Sequence, residues 1–376
     1  MQDHTDSHID EIIKRKRELK ELYLSLLLRS FAISMISIFV PIYLLINGFL
    51  LTEVLLFYII MNTVKIVIDP LTATLTSKIG IKRTLVLSAP TTIAFFGLLH
   101  FLESFQIPLY LISVIGAIAL SLYWIPITSD FAKSGDKKHR GSQTALFNLM
   151  PKLAGIIAPV TGAFIAEFFG FQILFILISA IIVSSTIPLL ASSDYKSKVT
   201  CNWQKYVQKG TKVSDLMFIS GFMSETTRVL FPIYIFLTLN SVVGLGELGS
   251  ILAIGTFTLT LGMKKLTDRF GKHYLIRVAG FIFLFGWLII MSASDFYLLG
   301  IVAIILGLGE SMFEIPLFTI ETNEAHSRPT EFMTLRAMTR RLGMTIASAL
   351  ALLTGNLETV FLLAALLSAY VIIRKK

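Results

Sequence analysis

Cysteine, charge and catalytic motifs are all scarce in this sequence of 376 residues. Cys201 is its one cysteine, which excludes a disulfide framework and a thiolate metal site. Only 15% of the residues are charged and 55% are hydrophobic, outside the usual range for soluble globular proteins. We find no phosphate-binding loop, zinc pattern, nucleophile elbow or dinucleotide fingerprint. The sequence therefore predicts no cofactor, no bound metal and no enzyme.

Long apolar segments fill the chain instead. Each is roughly 18–25 residues long, close to the length at which a helix crosses the hydrocarbon core of a bilayer. Strand-like alternation of polar and apolar residues is absent, which argues against a membrane barrel. We count about twelve such spans, near residues 22–46, 54–76, 84–102, 107–128, 143–166, 171–190, 215–239, 246–264, 274–293, 296–319, 333–354 and 357–373. The predicted fold class is an all-α membrane protein.

Basic residues are confined to alternate turns. They gather before the first span, after every second span and at the end of the chain, most weakly near residues 321–332. The six turns between contain no lysine or arginine and one acid each: Glu53, Glu103, Glu167, Glu247, Asp295 and Glu358. The positive-inside rule then predicts a multi-pass protein of the cell membrane with both termini in the cytoplasm. The net charge of +9 is attributed to this topology, with membrane lipids and not nucleic acid as partner.

The two halves of the chain repeat each other. LTSKIGIK at 75–82 returns as LTDRFGKH at 266–273, and PIY at 41–43 returns at 232–234, both 191 residues apart. Two further pairs occur in the same order at offsets of 190 and 188 residues. The repeat predicts two pseudo-symmetric six-helix bundles. The expected domains are a cytoplasmic tail 1–20, a first bundle 21–191, a cytoplasmic linker 192–213 and a second bundle 214–376.

The repeated turn resembles the signature of the major facilitator superfamily, roughly Gly-x-x-x-Asp-Arg-x-Gly-Arg-Arg after the second helix of each half. Lys264 and Ala73 replace its leading glycine, and Ser77 replaces the first aspartate. The resemblance implies a gate on the cytoplasmic side and a central cavity lined by the first, fourth, seventh and tenth helices. The gate residues that it implies are Ser77, Lys78, Gly80, Lys82, Arg83, Asp268, Arg269, Gly271 and Lys272.

Ionisable residues inside the spans are the candidate site, because each costs roughly 2.5–3.5 kcal/mol on insertion scales. Lys65 and Asp69 lie four apart on one helix face and are predicted to form a charge pair. Glu310 and Glu314 are like charges four apart, so they need a cation from another helix. Lys152 stands alone in the fifth span. The candidate residues for solute or proton translocation are Arg29, Glu225, Arg228, Glu310, Glu314 and Arg340.

These patterns predict a secondary active transporter that moves a small polar or charged solute by alternating access. Proton coupling through Glu310, with Glu225 as a second carboxylate, is a hypothesis from their position in the spans. The expected partners are a small-molecule solute, protons and membrane lipids, and a monomer is expected. Two alternatives stay open: a lipid or drug flippase or exporter, and a non-transporting membrane sensor or scaffold on the same fold.

Overall fold

The computed structural model describes residues 20–134, 140–190, 213–325 and 329–374. These residues are helical almost throughout, and none of them is in a strand. The predicted tail 1–20 and linker 192–213 lie outside the described residues, apart from Lys20 and Val213. The all-α fold class is confirmed.

Twelve helical spans follow one another in the described chain, and several contain breaks. The first is 20–34 continued by Val40–Ile46, and the seventh is Ser214–Glu225, a π-helical turn Thr226–Leu230, and Phe231–Leu239. The fifth and sixth form one helix, Arg140–Leu190, broken at Gly170, where φ is 83°. The short helix Leu102–Phe105 precedes the fourth span, and the 3-10 turn Ile290–Ser292 follows the ninth. The other spans are Leu51–Ile79 (second), Ile81–His100 (third), Leu109–Ser134 (fourth), Val242–Phe270 (eighth), Lys272–Ile289 (ninth), Phe296–Glu324 (tenth), Pro329–Thr354 (eleventh) and Leu357–Ile373 (twelfth).

Length and apolar composition mark this chain as an integral multi-pass membrane protein. Some spans do not meet a simple length and hydropathy condition: arginines lower the hydropathy of the eleventh span, and irregular turns divide the first and seventh spans. Leu357–Ile373 is a shorter apolar helix. Six helices of the described chain are long and apolar enough to cross a membrane by themselves: Leu51–Ile79, Leu109–Phe131, Leu149–Pro188, Val242–Met263, Lys272–Ser292 and Phe296–Glu324.

The sequence repeat is also a structural repeat. Both second helices of the halves, Leu51–Ile79 and Val242–Phe270, have 29 residues. Each ends at a glycine with positive φ, 108° at Gly80 and 78° at Gly271, and the next helix begins at the following residue. Residues with a side chain rarely adopt this backbone conformation, which explains the glycine in both copies. We call the end of the bundles at which these two turns lie the basic face. The opposite end is the acidic face.

A second repeated contact lies toward the acidic face. The hydroxyl of Tyr43 donates to the carbonyl of Leu99 at 3.0 Å, and the hydroxyl of Tyr234 donates to that of Ala293 at 3.1 Å. Each ring also meets a phenylalanine edge-on, at 88° between the planes in both halves. The two tyrosines are 191 residues apart, so the duplication predicted from sequence extends to side-chain packing.

The two bundles contact each other mainly through the second span against the eleventh and the fifth against the eighth. Small residues let the fifth and eighth backbones come close: a Cβ added at Gly246 would lie 2.4 Å from the side chain of Ala163. The tenth span contacts the eighth and ninth, just as the fourth contacts the second and third. The fold is therefore two similar bundles with an interface between them.

Candidate functional site

A cavity of about 380 Å³ lies between the two bundles. The first four spans contribute a largely apolar wall to it, with Phe57, Tyr58, Phe95, Phe96 and Trp124 among its aromatic side chains. The seventh, tenth and eleventh spans contribute the opposite wall. Among the described lining residues, every acidic or basic side chain belongs to that second wall: Glu225, Arg228, Glu314, Arg336, Arg340 and Arg341.

Glu310 and Glu314 each receive an arginine from another span. Nη2 of Arg228 donates to Oε1 of Glu310 at 2.5 Å. Nη1 of Arg340 donates to both carboxylate oxygens of Glu314, at 3.0 and 2.8 Å, and the hydroxyl of Ser220 also donates to Glu314. Each glutamate thus forms its own ion pair with an arginine of another helix, and these two pairs offset the repulsion expected between the glutamates. Arg228 is only partly covered by its pair, since 62% of its side chain is exposed and it lines the cavity.

Glu321 forms a third ion pair that the sequence reasoning did not find. Its side chain is fully buried, and Nε of Arg336 donates to it. The Arg336 guanidinium also stands 5.0 Å over the ring of Phe318 and 3.9 Å from Glu314. The signal available in sequence was the spacing of Glu310, Glu314 and Glu321, which places all three on one face of the tenth span.

Glu225 does not pair with Arg228, although the two are only three positions apart. Its Oε1 accepts hydrogen bonds from Nδ2 of Asn62 at 3.1 Å and from the hydroxyl of Ser348 at 2.8 Å. A π-helical turn begins at Thr226, and its smaller rotation per residue moves Arg228 away from the Glu225 side of the helix. Glu225 is 5% exposed, and the partner from the first bundle, Asn62, carries no charge.

Lys65 and Asp69 are both buried but do not form the ion pair predicted from their spacing. The hydroxyl of Ser121, on the fourth span, donates to Oδ1 of Asp69. Oδ2 of Asp69 and Nζ of Lys65 have no hydrogen-bond partner in the described chain. The fourth span packs against this face of the second, so its serine binds the carboxylate in place of the lysine.

Arg29 and Lys152 take neutral partners. Arg29 is 3% exposed; its Nη2 donates to the Thr92 hydroxyl at 2.7 Å, and its guanidinium lies 4.1 Å from the ring centre of Tyr123. It therefore stays within the first bundle, away from the glutamates of the tenth span. Nζ of Lys152 donates to the Ser311 hydroxyl at 2.7 Å, which joins the fifth span to the tenth across the bundle interface.

Aromatic rings lie between the cavity and the basic face. Phe131 and Phe147 of the first bundle stack at 4.3 Å, and Phe318 of the second bundle stacks on Phe131 at 6.0 Å. All three rings are buried. We call these three residues the phenylalanine cluster; it links the bundles beneath the cavity.

The predicted gate turns lie at the basic face, at the ends of the second and eighth spans. Ser77 donates to the carbonyl of Thr74 at 2.7 Å, and the guanidinium of Arg269 lies 5.1 Å from the ring of Phe270. The side chain of Asp268 lies outside the described part of the chain. A latch made by Asp268 therefore stays a prediction, as does the gating role of Lys78, Lys82, Arg83 and Lys272.

Two repeated helical bundles with a cavity between them are the architecture of a large class of secondary transporters. The chain belongs to the Major Facilitator Superfamily, whose sequence model matches residues 12–202, about half of the chain. Members of this family are membrane transporters of small solutes. No curated protein sequence matches the chain.

Several solved structures are similar over nearly the whole length. The Escherichia coli fucose:proton symporter FucP aligns with a TM-score of 0.71 at 13% identity, over 96% of this chain and 98% of that one. A second structure of FucP, in the outward conformation, gives 0.67 at 14% identity over 94% and 97%. The human organic anion transporter MFSD10 (TETRAN) gives 0.64 at 14% identity over 94% and 99%. At these identities the likeness shows the fold alone.

Proposed function

We propose that the protein is a secondary active transporter that carries a small polar or charged solute by alternating access. The observation that carries this is the cavity at the bundle interface, which residues of both bundles line. Asn62 to Glu225 and Lys152 to Ser311 are hydrogen bonds between bundles, and each costs little to exchange for water. Rocking of one bundle against the other would then open the cavity to either face.

Orientation and domain limits are part of the same proposal. We infer that the protein lies in the cell membrane, that the basic face is cytoplasmic and that both termini are in the cytoplasm, because lysine and arginine are retained on that side. The proposed domains keep the limits 21–191 and 214–376, with 1–20 as tail and 192–213 as linker, and the working unit is a monomer. The repeated turns at Gly80 and Gly271 and the repeated tyrosine contacts support this division.

Proton coupling is proposed at Glu225 first and at Glu310 second. Glu310 is held by Arg228, and a carboxylate beside a guanidinium retains its negative charge. Glu225 is buried and receives hydrogen bonds only from an amide and a hydroxyl in the described chain, so a proton on it removes a costly charge. Since Asn62 lies in the other bundle, that proton would also alter a contact across the interface.

Two-sided labelling tests the transport proposal without knowledge of the solute. Ser37 lines the cavity and is exposed, so Ser37→Cys in a Cys201→Ser background places one thiol there. A membrane-impermeant thiol reagent is applied to right-side-out and to inside-out vesicles. We expect labelling from both sides, with a ratio that changes with pH. Labelling from one side alone at every pH would favour the sensor or scaffold alternative and refute alternating access.

A further inference from the structure

Charge and apolar surface are divided unequally between the two walls of the cavity. The described lining contains four arginines and two glutamates, all on the second bundle. The wall from the first bundle contains uncharged polar groups, among them Thr92 and Asn62, beside its aromatic side chains. A solute in this cavity therefore meets guanidinium and carboxylate groups on one side and aromatic surface on the other.

Two of the four arginines keep donors free for a solute. Arg340 is engaged by both oxygens of Glu314, and Arg336 is engaged by Glu321. Arg228 gives Glu310 a single hydrogen bond while 62% of its side chain is exposed. A guanidinium has five N–H donors, so most of those of Arg228 remain open to the cavity.

Arg341 is the lining arginine that no carboxylate of the described chain hydrogen-bonds. Its Nη1 donates to the sulfur of Met344 at 2.8 Å, a weak acceptor, and its Nε is buried with no partner in the described residues. The carboxylates of Asp69 and Glu225 lie near enough to attract this guanidinium, but they do not hydrogen-bond it, so its N–H groups stay available to another anion. The planar N–H fork of arginine matches the two oxygens of a carboxylate or phosphate.

The geometry points to a small amphipathic organic anion as the solute. Its acidic group binds Arg228 and Arg341, and its apolar body packs against Trp124 and the neighbouring rings of the first bundle. The cavity volume of about 380 Å³ is within the range of small-molecule pockets, about 300–1,000 Å³. A cation would not gain these bonds, because a guanidinium has hydrogen-bond donors and no acceptor. The inference rests on the proposed function in taking this cavity as the transport site.

A matched set of four probes tests the two parts of this inference on purified protein. 4-Phenylbutyrate carries both the negative charge and the aromatic body; 4-phenylbutanol and 4-phenylbutylamine change the charge, and butyrate lacks the ring. Binding is measured by titration calorimetry and by the thermal shift of unfolding. We expect 4-phenylbutyrate to bind at least about tenfold more tightly than each of the other three, because the others lose either the charge-assisted bonds or the aromatic contact.

Two substitutions assign the binding to its walls. Arg341→Gln should weaken 4-phenylbutyrate about tenfold or more, and Trp124→Ala should bring its affinity toward that of butyrate. Arg277→Gln is the matched control, because Arg277 donates to the carbonyl of Arg374 and does not line the cavity. If Arg341→Gln does not fold, the affinity for 4-phenylbutyrate is measured instead in the double variant Arg228→Gln with Glu310→Gln, which removes a whole ion pair. This variant should also bind 4-phenylbutyrate more weakly.

Each outcome decides one part. If 4-phenylbutanol binds as tightly as 4-phenylbutyrate, or 4-phenylbutylamine binds more tightly, the solute is not an anion. If butyrate binds as tightly as 4-phenylbutyrate, the solute needs no apolar body. If no probe binds, both parts of the inference are refuted. Unchanged affinity in Arg341→Gln, or an equal loss in Arg277→Gln, overturns the assignment to the arginine wall. The labelling of Ser37→Cys needs no probe, so transport can stand when the anion fails. One-sided labelling with intact anion binding would instead refute transport alone.

Discussion

A single backbone irregularity decides the partners of Glu225 and Arg228. On a regular helix, residues three apart lie close on one face, and an internal salt bridge would be available. The π-helical turn Thr226–Leu230 separates them, so Arg228 reaches Glu310 and Glu225 reaches Asn62 and Ser348. Single π-helical turns occur frequently at functional sites, which agrees with the place of this one at the cavity.

The first residue-scale prediction concerns Glu225→Gln. A glutamine carbonyl can still accept from Asn62 and Ser348, so the protein should fold, while the group can no longer release a proton. We expect the two-sided labelling ratio of Ser37→Cys to lose its pH dependence and to stay at the wild-type value for acidic pH at every pH. A ratio that still follows pH in this variant would move the coupling group to another residue.

The second residue-scale prediction concerns Lys65→Met. Nζ of Lys65 is buried without a partner in the described chain, so its removal relieves a desolvation cost and should raise the free energy of unfolding by about 1–2 kcal/mol. Lys152→Met is the control, since it loses the bond to Ser311 and should cost about 1 kcal/mol. Thermal unfolding in detergent measures both. An equal loss of stability in the two variants would mean that Lys65 is also partnered.

Among the elements, the seventh and eleventh spans approach each other backbone to backbone. A Cβ added at Gly221 would stand 2.0 Å from the carbonyl oxygen of Arg340, and one at Gly343 would stand 2.2 Å from that of Phe218. Two glycines thus hold the arginine-bearing span at a fixed distance from the span of Glu225. The position of the arginines in the cavity depends on this packing as well as on their ion pairs.

The element-scale prediction compares two glycine substitutions. Gly221→Ala forces the spans apart and should destabilise the protein by about 2 kcal/mol or more, because backbone atoms cannot yield as a side chain can. Gly97→Ala is the control, since no atom lies within 4 Å of the added Cβ and alanine has a higher helix propensity than glycine. Thermal unfolding distinguishes them, and similar stability of the two variants would contradict the close packing of spans seven and eleven.

For the molecule as a whole, the two bundles are joined by contacts at both faces. Toward the basic face, the phenylalanine cluster joins the two bundles. Toward the acidic face, the fifth and eighth spans pack tightly at Gly246. Alternating access requires one of these regions to separate while the other stays together. The bundles should therefore move as bodies, with little change inside each.

The whole-molecule prediction is made for spin labels at symmetric sites. Lys78 and Arg269 lie at the basic face of the first and second bundles, and Tyr110 and Tyr297 lie at the acidic face. We expect pulsed dipolar distances of these two pairs to change in opposite directions between neutral and acidic pH. The pair Tyr297 and Leu353 lies within one bundle and should keep its distance. A change of the same sign at both faces would refute rocking.

Much of the fold was predictable because its causes are local in sequence. Apolar length predicts the spans, and the repeated turn predicts the duplication, which the matching helix ends at Gly80 and Gly271 share. The site was predictable in kind only. Glu310 and Glu314 required cations from other helices, but no local rule selects Arg228 for one and Arg340 for the other. Ser121 and Asn62, as uncharged partners of buried acids, give no signal in a single sequence.

The sequence by itself determined the membrane class, the number of spans, the duplication and the presence of costly charges inside the bilayer. These follow from hydropathy and charge along the chain, which a helix carries with it wherever it packs. Only the tertiary structure decided which charges meet, that Lys65 and Asp69 stay apart, and that the charged side chains of the described cavity lining lie on one wall. The reason is that a side-chain pair between spans depends on helix rotation and spacing, and these are set by the packing of all twelve spans together.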